Sequence, residues 1–551
     1  MLFGTLQRWL NSRWTVRVYF SVTLLLGLWV AQDYGISWDE KSMVVLGEEA
    51  FNYVVKGHPY PAHLGIRYHG AFVEIVLHGL QELLNITYAR HFFIFRHAAG
   101  YVVFWTGMVA LYAIALRHFR SRPWALLAAM IYFLSPRQFG HAFVNTRDIP
   151  AMVFFTIKMF TLMVMLDRKT VRSTIIHGLC SGMVLALRVG GLFVPIYTGI
   201  FITLEMIRDY RESGTIDIQR YVKILLVYSV SFAMSTIALW PLLWETPVLN
   251  FIAAMQNMMS DQQQPGGFYL GQQIAYAPWH WVPVHLITKT PLLYVVLALT
   301  AMVSFCSSLR RDLFAILTTQ RNTLLFVFWF AIPLIIVVVM EADLFDEWRH
   351  LYFTYPATVL LAVIGLRSLS RYVAGISQRT TQVILQSALV SIPAVCISAT
   401  ALWMIQNHPL QYVYYSIPSR YVEHNFELDY WGLSYRQGFE WILENDTDPI
   451  IPVFVTSSPG WENPNILTSA QRRRITMWKK YTPKYVMDNF DWMEYKHVLP
   501  DSEKVHSITV SGMEVLNIYR DPNWTPDQVI DPRDAMEDHD VQMWFNPEST
   551  P

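Results

Sequence analysis

The chain has 551 residues, of which 53% are hydrophobic and 15% are charged, and its 42 basic residues balance its 42 acidic ones. Soluble proteins carry roughly 25% charged residues, so this chain has too few to cover a globular surface. The composition therefore excludes a soluble globular domain and indicates a polytopic membrane protein. The zero net charge does not identify partners, and we expect no nucleic acid among them.

Apolar runs recur along most of the chain. In chain order we predict eleven membrane spans, at about 18–32, 98–116, 123–136, 150–166, 174–187, 191–206, 222–240, 291–306, 322–340, 351–366 and 382–404. The clearest of them approach the ~20 residues that cross the hydrocarbon core of a bilayer. The segment before the first run is basic and no small-residue cleavage site follows it, which predicts a retained signal anchor.

The short loops on one side of the predicted membrane carry most of the cations, whereas the other side has scattered single ones. The basic loops contain Arg8, Arg13, Arg17, Arg117, Arg120, Arg122, Arg168, Lys169, Arg172, Arg208, Arg211, Arg220, Lys223, Arg310, Arg311, Arg321, Arg367, Arg371 and Arg379. Because basic loops stay in the cytoplasm, the N-terminus is predicted to be cytoplasmic. The odd number of spans then places the C-terminal region outside.

Two segments of the first external loop have helical periodicity. In 71–90 the polar residues lie on one stripe of a helix, and the polar residues of 41–56 cluster in the same way. We predict two amphipathic helices along the membrane surface, with their apolar faces towards lipid. If 71–90 crossed the membrane, every later basic loop would lie outside, against the positive-inside rule.

The chain changes character after about residue 404, where we predict the boundary between a membrane domain, 1–404, and an external domain, 405–551. The segment "TDPIIPVFVTSS" is typical of a buried strand, and "VHSITVSGMEVLNIYR" of a hairpin that turns at Ser511-Gly512. With a helix predicted in "YRQGFEWILEN", these elements indicate a small α/β domain. The tail from about residue 522 is acidic and proline-rich, and we predict that it is loose.

The external loops gather carboxylates, isolated cations and aromatic side chains. In chain order these are Trp38, Asp39 and Glu40; Arg137, His141, Arg147 and Asp148; Arg188; Trp279, His280, Trp281, His285 and Lys289; and Arg349 and His350. Each has an ordinary explanation when taken singly: solvated loop acids, a surface ion pair, snorkelling cations or an interfacial aromatic belt. Their common depth instead favours a site for a phosphate whose lipid tail lies in the bilayer.

Four motifs occur in a particular order and on the same predicted side. An acid pair follows the first span, "NTRDIP" precedes the fourth, and "TKTPLLY" and "RHLYFTYPA" open two later spans. In these motifs the chain resembles the GT-C glycosyltransferases, most closely the bacterial protein O-mannosyltransferase and aminoarabinose transferase type. Residues 408–442 resemble an extension of the bacterial members. The resemblance implies a polyprenyl-phosphate-linked sugar donor, an active site on the external, periplasmic face of the inner membrane, and an acceptor that is a protein or a glycolipid.

The resemblance also suggests roles for the loop residues. It implies Asp39 as the catalytic base and Asp148 as the acid of the second loop, with Glu40 as an alternative base. It implies cations near the donor phosphate at Lys289 and Arg349, to which we add Arg147 and His350. We assign Trp38, His141, Trp279 and His280 to the acceptor and sugar pocket. The second loop reads "RD" rather than a two-acid metal motif, so no cofactor is required, although Asp39, Glu40 and Asp148 could together hold a divalent metal.

Direct displacement of the phosphate by the acceptor would invert the anomeric centre, and nothing in the sequence marks a second nucleophile. Two other functions remain open at this level. A transporter or flippase for lipid-linked sugars would explain the spans and the cations, but we find no repeat between the halves of the chain. A membrane scaffold that presents the C-terminal domain would leave the outward carboxylates without a role.

Overall fold

The computed structural model of the protein describes residues 11–61, 64–260, 267–309, 320–342, 344, 346–477, 483–489 and 502–525. Helices dominate up to residue 445. In chain order they are α1 Arg13–Val30, α2 Glu40–Phe51, α3 Phe72–Leu83, α4 Ala89–Phe119, α5 Arg122–Phe133, α6 Pro136–Val144, α7 Asp148–Arg168, α8 Val171–Leu185, α9 Phe193–Ser213, α10 Ile218–Leu239, α11 Pro247–Ser260, α12 Trp281–Thr288, α13 Leu292–Leu309, α14 Arg321–Val339, α15 Tyr355–Ala374, α16 Arg379–Gln406 and α17 Ser434–Asn445.

Nine helices among the described residues are long and apolar enough to cross a membrane, namely α1, α4, α7, α9, α10, α13, α14, α15 and α16, some of them extended by short turns. The chain is therefore a multi-pass membrane protein, as the composition predicts. All eleven predicted spans fall on helices, but α5 has 12 residues and α8 has 15. At about 1.5 Å per residue these two helices are only about 18 and 23 Å long, well short of the ~30 Å hydrocarbon core.

The short length of α5 has a local cause in the sequence. Ser135 precedes Pro136, and a residue before proline disfavours the helical conformation. The chain adopts extended backbone at Ser135, and Pro136 then occupies the first turn of α6. The apolar run 123–136 therefore breaks into two helices, which positions α6 across the outer end of the bundle.

The two helices predicted in the first external loop are present as α2 and α3, and each has only 12 residues. Helix α3 ends at Leu83, several residues before the predicted end. Several of its apolar side chains are exposed, Leu83 at 79% for example, whereas Glu74 and Gln81 are buried. Part of the polar stripe thus faces protein, where the Glu74 carboxylate pairs with Arg96 of α4, whereas Glu82 is exposed.

Helix α7 lies at the centre of the bundle, with 78% of its most apolar stretch buried. Helices α8 and α10 approach closely because two glycines four residues apart face α10. A Cβ atom at Gly178 would lie 2.6 Å from Ser231 Cβ, and one at Gly182 would lie 2.6 Å from the Phe232 carbonyl oxygen. This spacing of small residues is a common way to bring membrane helices together.

A five-stranded sheet forms the end of the described chain. Its strands are β3 Ile451–Val455, β4 Ile475–Thr476, β5 Tyr485–Asp488, β6 Glu503–Val510 and β7 Met513–Arg520, in the order β4-β3-β5-β7-β6. Strand β3 is parallel to β4 and β5, and β7 is antiparallel to β5 and β6. Two further strands, β1 Gly267–Tyr269 and β2 Gln272–Ile274, form a separate hairpin.

The sheet confirms the small α/β element predicted at the C-terminus. The predicted hairpin turns at Ser511 and Gly512, whose φ angles of 53° and 83° are left-handed. The predicted helix is present as α17, and it packs on the sheet. The division of the chain at residue 404 stays a prediction, and residues 526–551 of the predicted loose tail lie outside the described residues.

Candidate active site

The loop after α1 is fixed by the C-terminal part of the chain. Asn463 accepts a hydrogen bond from Ile36 N at 3.0 Å and donates one to Ile36 O at 2.9 Å. Arg436 donates to Tyr34 O at 2.9 Å. These contacts hold the segment that leads into Asp39, which begins helix α2.

Three carboxylates converge on the buried guanidinium of Arg349. Asp39 Oδ2 lies 2.7 Å from Arg349 Nη1, and Asp148 Oδ2 lies 3.8 Å from the same atom. Asp346 pairs with Nη2. Burial raises the pKa of Asp346 to about 7, although Arg349 opposes the shift. The Asp39 side chain is 19% exposed, against 7% for Asp346 and 1% for Asp148, so Asp39 is the most accessible of the three acids.

Asp148 is held from several sides at the start of α7. Arg188 Nη1 lies 2.8 Å from Asp148 Oδ1, and Asn145 Nδ2 donates to Asp148 Oδ2 at 3.0 Å. The Asp148 N–H donates back to Asn145 Oδ1 at 2.8 Å. Burial lowers the pKa of Arg188 to about 10, and Asp148 opposes that shift. The predicted second-loop acid is thus a fixed part of the cluster.

The structure separates the predicted acid pair. Glu40 is buried, where Glu40 Oε1 lies 3.0 Å from His97 Nε2 and Glu40 Oε2 accepts a hydrogen bond from Ser37 N at 2.6 Å. Asp39 faces Arg349 instead. Adjacent residues at a helix start point in different directions, which is why the sequence could not place the two carboxylates relative to each other.

His141 lies inside the protein rather than in an open pocket. Its Nε2 is 3.2 Å from the Tyr352 hydroxyl and its Nδ1 is 3.3 Å from Asn145 Nδ2. Burial lowers its pKa well below the ordinary value, and the charges of Arg137 and Arg349 lower it further. His141 is therefore neutral and buried beside Asn145 and Tyr352, and its assignment to the acceptor and sugar pocket stays a prediction.

Trp38 is 37% exposed beside Asp39 and stacks on Tyr430, with ring centroids 6.1 Å apart. The Arg349 guanidinium lies 5.9 Å from the Tyr430 ring and 4.9 Å from the Trp431 ring. These two aromatic residues were not identified from the sequence, although the resembling segment 408–442 contains both. Trp38 thus forms an accessible aromatic surface at the acid cluster.

Arg147 and His350 belong to a group of cationic and histidine side chains next to Asp148. Arg147 Nη2 lies 3.0 Å from His69 Nδ1. Burial lowers the pKa of His69 well below its ordinary value, and the nearby charges of Arg147 and Arg188 lower it further. His69 is therefore a neutral acceptor for Arg147. His350 is half-buried and also acts electrostatically on His69.

A second charged cluster adjoins the first, because Asp346 and Glu347 are consecutive. The Glu347 carboxylate pairs with Lys289 through one oxygen and with Arg137 through the other. Burial lowers the pKa of Lys289 to about 7, although Glu347 opposes the shift. The roles of Arg137 and Glu347 in a cluster were not predicted, although Arg137 was among the loop cations.

Among the described residues, Trp279 and His280 make no hydrogen bond, ion pair or ring contact with the acid cluster. Trp279 is 71% exposed, and His280 Nδ1 lies 2.7 Å from the Tyr269 hydroxyl. Because α12 begins at Trp281, it is Trp281 that turns inward, where it donates to Glu347 O at 2.6 Å. The assignment of Trp279 and His280 to the acceptor and sugar pocket stays a prediction.

Within the described ranges, no three or more His, Cys, Asp or Glu side chains are arranged to hold a metal ion. Of the predicted metal set, Asp39 and Asp148 face Arg349, whereas Glu40 faces His97. The cation at the centre of this cluster is a guanidinium. The three cysteines are unpaired by disulfides and lie in helices α8, α13 and α16.

No protein-family model and no curated protein matches the chain. Among solved structures, the fold is similar to the oligosaccharyltransferase AglB from Archaeoglobus fulgidus, in complex with an inhibitory peptide and a dolichol-phosphate. That similarity has a TM-score of 0.49 at 11% identity and covers 88% of this chain and 71% of AglB. The fold is also similar to ArnT from Cupriavidus metallidurans bound to undecaprenyl phosphate, with a TM-score of 0.46 at 13% identity, covering 93% of this chain and 98% of ArnT.

Proposed function

We propose that this chain is a membrane glycosyltransferase that moves a sugar from a polyprenyl-phosphate-linked donor to a hydroxyl of a protein or glycolipid acceptor. The observation that carries the proposal is the partly exposed Asp39 carboxylate, fixed 2.7 Å from buried Arg349 beside the exposed ring of Trp38. A base beside an aromatic surface suits a sugar ring, and the adjoining buried cations suit a phosphate.

In the proposed reaction Asp39 removes the proton from the acceptor hydroxyl as its oxygen attacks the anomeric carbon of the donor. The bond from that carbon to the phosphate oxygen breaks, and the electron pair leaves with the polyprenyl phosphate. Arg349 acts as the residue that positions Asp39, in place of the donor-phosphate contact that the resemblance implies. Asp148, itself paired with Arg188, lies near the same nitrogen of Arg349, and Asp346 holds the other one. One displacement inverts the anomeric centre.

In this proposal several residues have the roles predicted from the sequence. Lys289 faces the leaving phosphate, and Arg147 and His350 contribute positive potential at the edge of the acid cluster. Trp38 stacks on the transferred sugar. The site opens at the outer face of the membrane, which in a bacterium is the periplasmic face of the inner membrane.

A transporter for lipid-linked sugars is the other function compatible with buried cations in a helical bundle. The ion pair between Asp39 and Arg349 favours the enzyme, because it fixes a carboxylate in one position. General-base catalysis needs such a fixed geometry, whereas a transport pathway needs groups that release the substrate on both sides.

The proposal is tested with the purified chain in liposomes that contain a panel of polyprenyl-phosphate hexoses and pentoses. We expect one donor to yield polyprenyl phosphate together with a glycosylated acceptor. Movement of the same lipids between leaflets without loss of their sugar would contradict the proposal and indicate a transporter. Glycans that disappear when the gene is deleted in its host would identify the acceptor.

A further inference from the structure

The Arg137–Lys289–Glu347 cluster contains more buried donors than its carboxylate can satisfy. Lys289 and Arg137 each use one oxygen of Glu347. Among the described residues, Arg137 Nε and Nη2 and both ring nitrogens of His285 make no hydrogen bond of good geometry. Arg137, His285 and Lys289 are each at most 2% exposed. Leaving such groups unsatisfied is costly, about 1–3 kcal/mol for each neutral group and more for a charged one.

The backbone that presents Glu347 is itself strained. Asp346 and Glu347 have φ angles of 50° and 71°, a left-handed conformation that is uncommon for two consecutive residues other than glycine. The turn is held by its side chains, because Asp346 pairs with Arg349 and Glu347 pairs with the other two cations. Strained backbone of this kind persists where surrounding contacts over-determine it, and it clusters at sites that switch.

The position of the cluster suits a lipid phosphate. Lys289 lies three residues before the start of α13. Helix α13 carries an exposed apolar stripe that begins in its first turn. The stripe is formed by Leu292, Val296, Leu299 and Val303, each at least 50% exposed. A phosphate bound by Lys289 would therefore have an apolar surface beside it for its hydrocarbon tail.

We propose that Arg137 and Lys289, with His285, form the seat of the donor phosphate, and that the Glu347 carboxylate is a resident anion which the donor displaces. This inference rests on the proposed function and adds to it a second phosphate-binding cation and a competing side chain. A phosphate group has more acceptor oxygens than a carboxylate, so it can satisfy donors of Arg137 and His285 that Glu347 leaves unpaired.

The charge of the bound phosphate changes during the proposed reaction. A phosphodiester donor carries one negative charge and replaces the single charge of Glu347 in the seat. When the sugar leaves, the released phosphate monoester carries about −1.5 to −2 at pH 7, which two cations match better than one. Two cations at the phosphate therefore stabilise charge as it develops on the leaving group. We expect the freed Glu347 side chain to leave the seat while its backbone oxygen keeps the hydrogen bond from Trp281.

The test measures the affinity of the purified full-length chain for undecaprenyl phosphate in detergent, with undecaprenol as the uncharged comparison. We expect Glu347→Gln to bind undecaprenyl phosphate about 10-fold more tightly than wild type, because the competing charge is gone. We expect Arg137→Gln to bind about 10- to 100-fold more weakly. Undecaprenol affinity should not change in either variant.

Glu74→Gln is the matched control, because it also removes a buried carboxylate from an arginine pair, that of Arg96. It should leave undecaprenyl phosphate affinity unchanged. Thermal unfolding provides a second measurement. Without lipid, Glu347→Gln should unfold at a lower temperature than wild type, and undecaprenyl phosphate should raise its unfolding temperature by more than it raises that of wild type.

Each negative result would rule out a different part of the proposal. If Glu347→Gln binds undecaprenyl phosphate no more tightly than wild type and gains no extra thermal stability from it, Glu347 is not a resident anion. If Arg137→Gln binds as wild type does, Arg137 is not part of the seat. In both cases the proposed function survives. If wild type binds neither undecaprenyl phosphate nor a sugar-bearing polyprenyl phosphate, the proposed function fails with the inference.

Discussion

Arg349 and Asp39 are 310 residues apart in the sequence, and their side chains form an ion pair of 2.7 Å. The pair joins the loop after the first span to the turn that begins a late span. It therefore assembles one site from the two ends of the membrane region. The buried partner is Arg349, at 4% side-chain exposure, and the accessible one is Asp39, at 19%.

The first prediction concerns Asp39 as the base. Asp39→Asn retains the size of the side chain but not its basicity, so we expect sugar transfer to fall by about 10²–10⁴-fold. The measurement is turnover of a polyprenyl-phosphate sugar at matched amounts of folded protein. The control is Asp33→Asn, which changes another acid at the end of α1, one that pairs with His408 at 2.9 Å. Turnover by Asp39→Asn within a few-fold of wild type would rule out Asp39 as the base.

The second prediction separates Glu40 from Asp39. Glu40 is 1% exposed and bonds to His97 and Ser37 N, so its contribution is to folding of the loop. Glu40→Gln replaces a charged acceptor by a neutral one and should lower the free energy of unfolding by about 1–3 kcal/mol. Transfer per folded molecule should stay within a few-fold of wild type. A loss of turnover as large as that of Asp39→Asn, without a loss of stability, would instead make Glu40 the base.

The helical membrane region could be predicted because its signal is local. Uniform apolar runs and the basic loops between them depend only on neighbouring residues, and all eleven runs are helical. The strand at 451–455 and the hairpin turn at Ser511-Gly512 were likewise visible as short patterns. Helix α5 is shorter than its predicted span 123–136, and Pro136 explains why. Helix α8 covers most of its predicted span, but at 15 residues it is shorter than the nine candidate membrane helices among the described residues.

The partners within the site could not be predicted, because they depend on contacts between distant segments. The sequence identified Asp39, Asp148, Lys289 and Arg349 as candidates. It did not show that Lys289 pairs with Glu347 whereas Arg349 pairs with Asp39. It also did not show that, at the start of α12, Trp279 is exposed whereas Trp281 is buried. Side-chain direction at a helix start is set by one residue of register, which composition does not reveal.

The third prediction concerns membrane topology. Helix α7 has 21 residues and is about 31 Å long, so Asp148 at its start and Arg168 at its end should lie at opposite faces of the bilayer. A reporter fused at Thr550 should be active only outside the cytoplasm, and one fused after a truncation at Arg168 should be active only inside. Cytoplasmic activity of the Thr550 fusion would overturn the odd number of crossings and the external position of the site.

The fourth prediction uses the ionisation of Lys289, whose pKa burial lowers to about 7. The cationic fraction of the free protein should then fall from about nine-tenths at pH 6 to about one-tenth at pH 8. A bound phosphate favours the protonated amine, so binding takes up a proton and donor affinity weakens as the pH rises through 7. A phosphodiester donor keeps one negative charge over this range, which leaves the protein as the source of the change. Lys289→Arg stays charged, so its donor affinity should weaken less than that of wild type between pH 6 and 8, as measured by donor titration. Asp346, whose pKa burial raises to about 7, is present in both proteins, so the difference between the two profiles reports Lys289. A wild-type profile as flat as that of Lys289→Arg would show that Lys289 does not titrate at the donor phosphate.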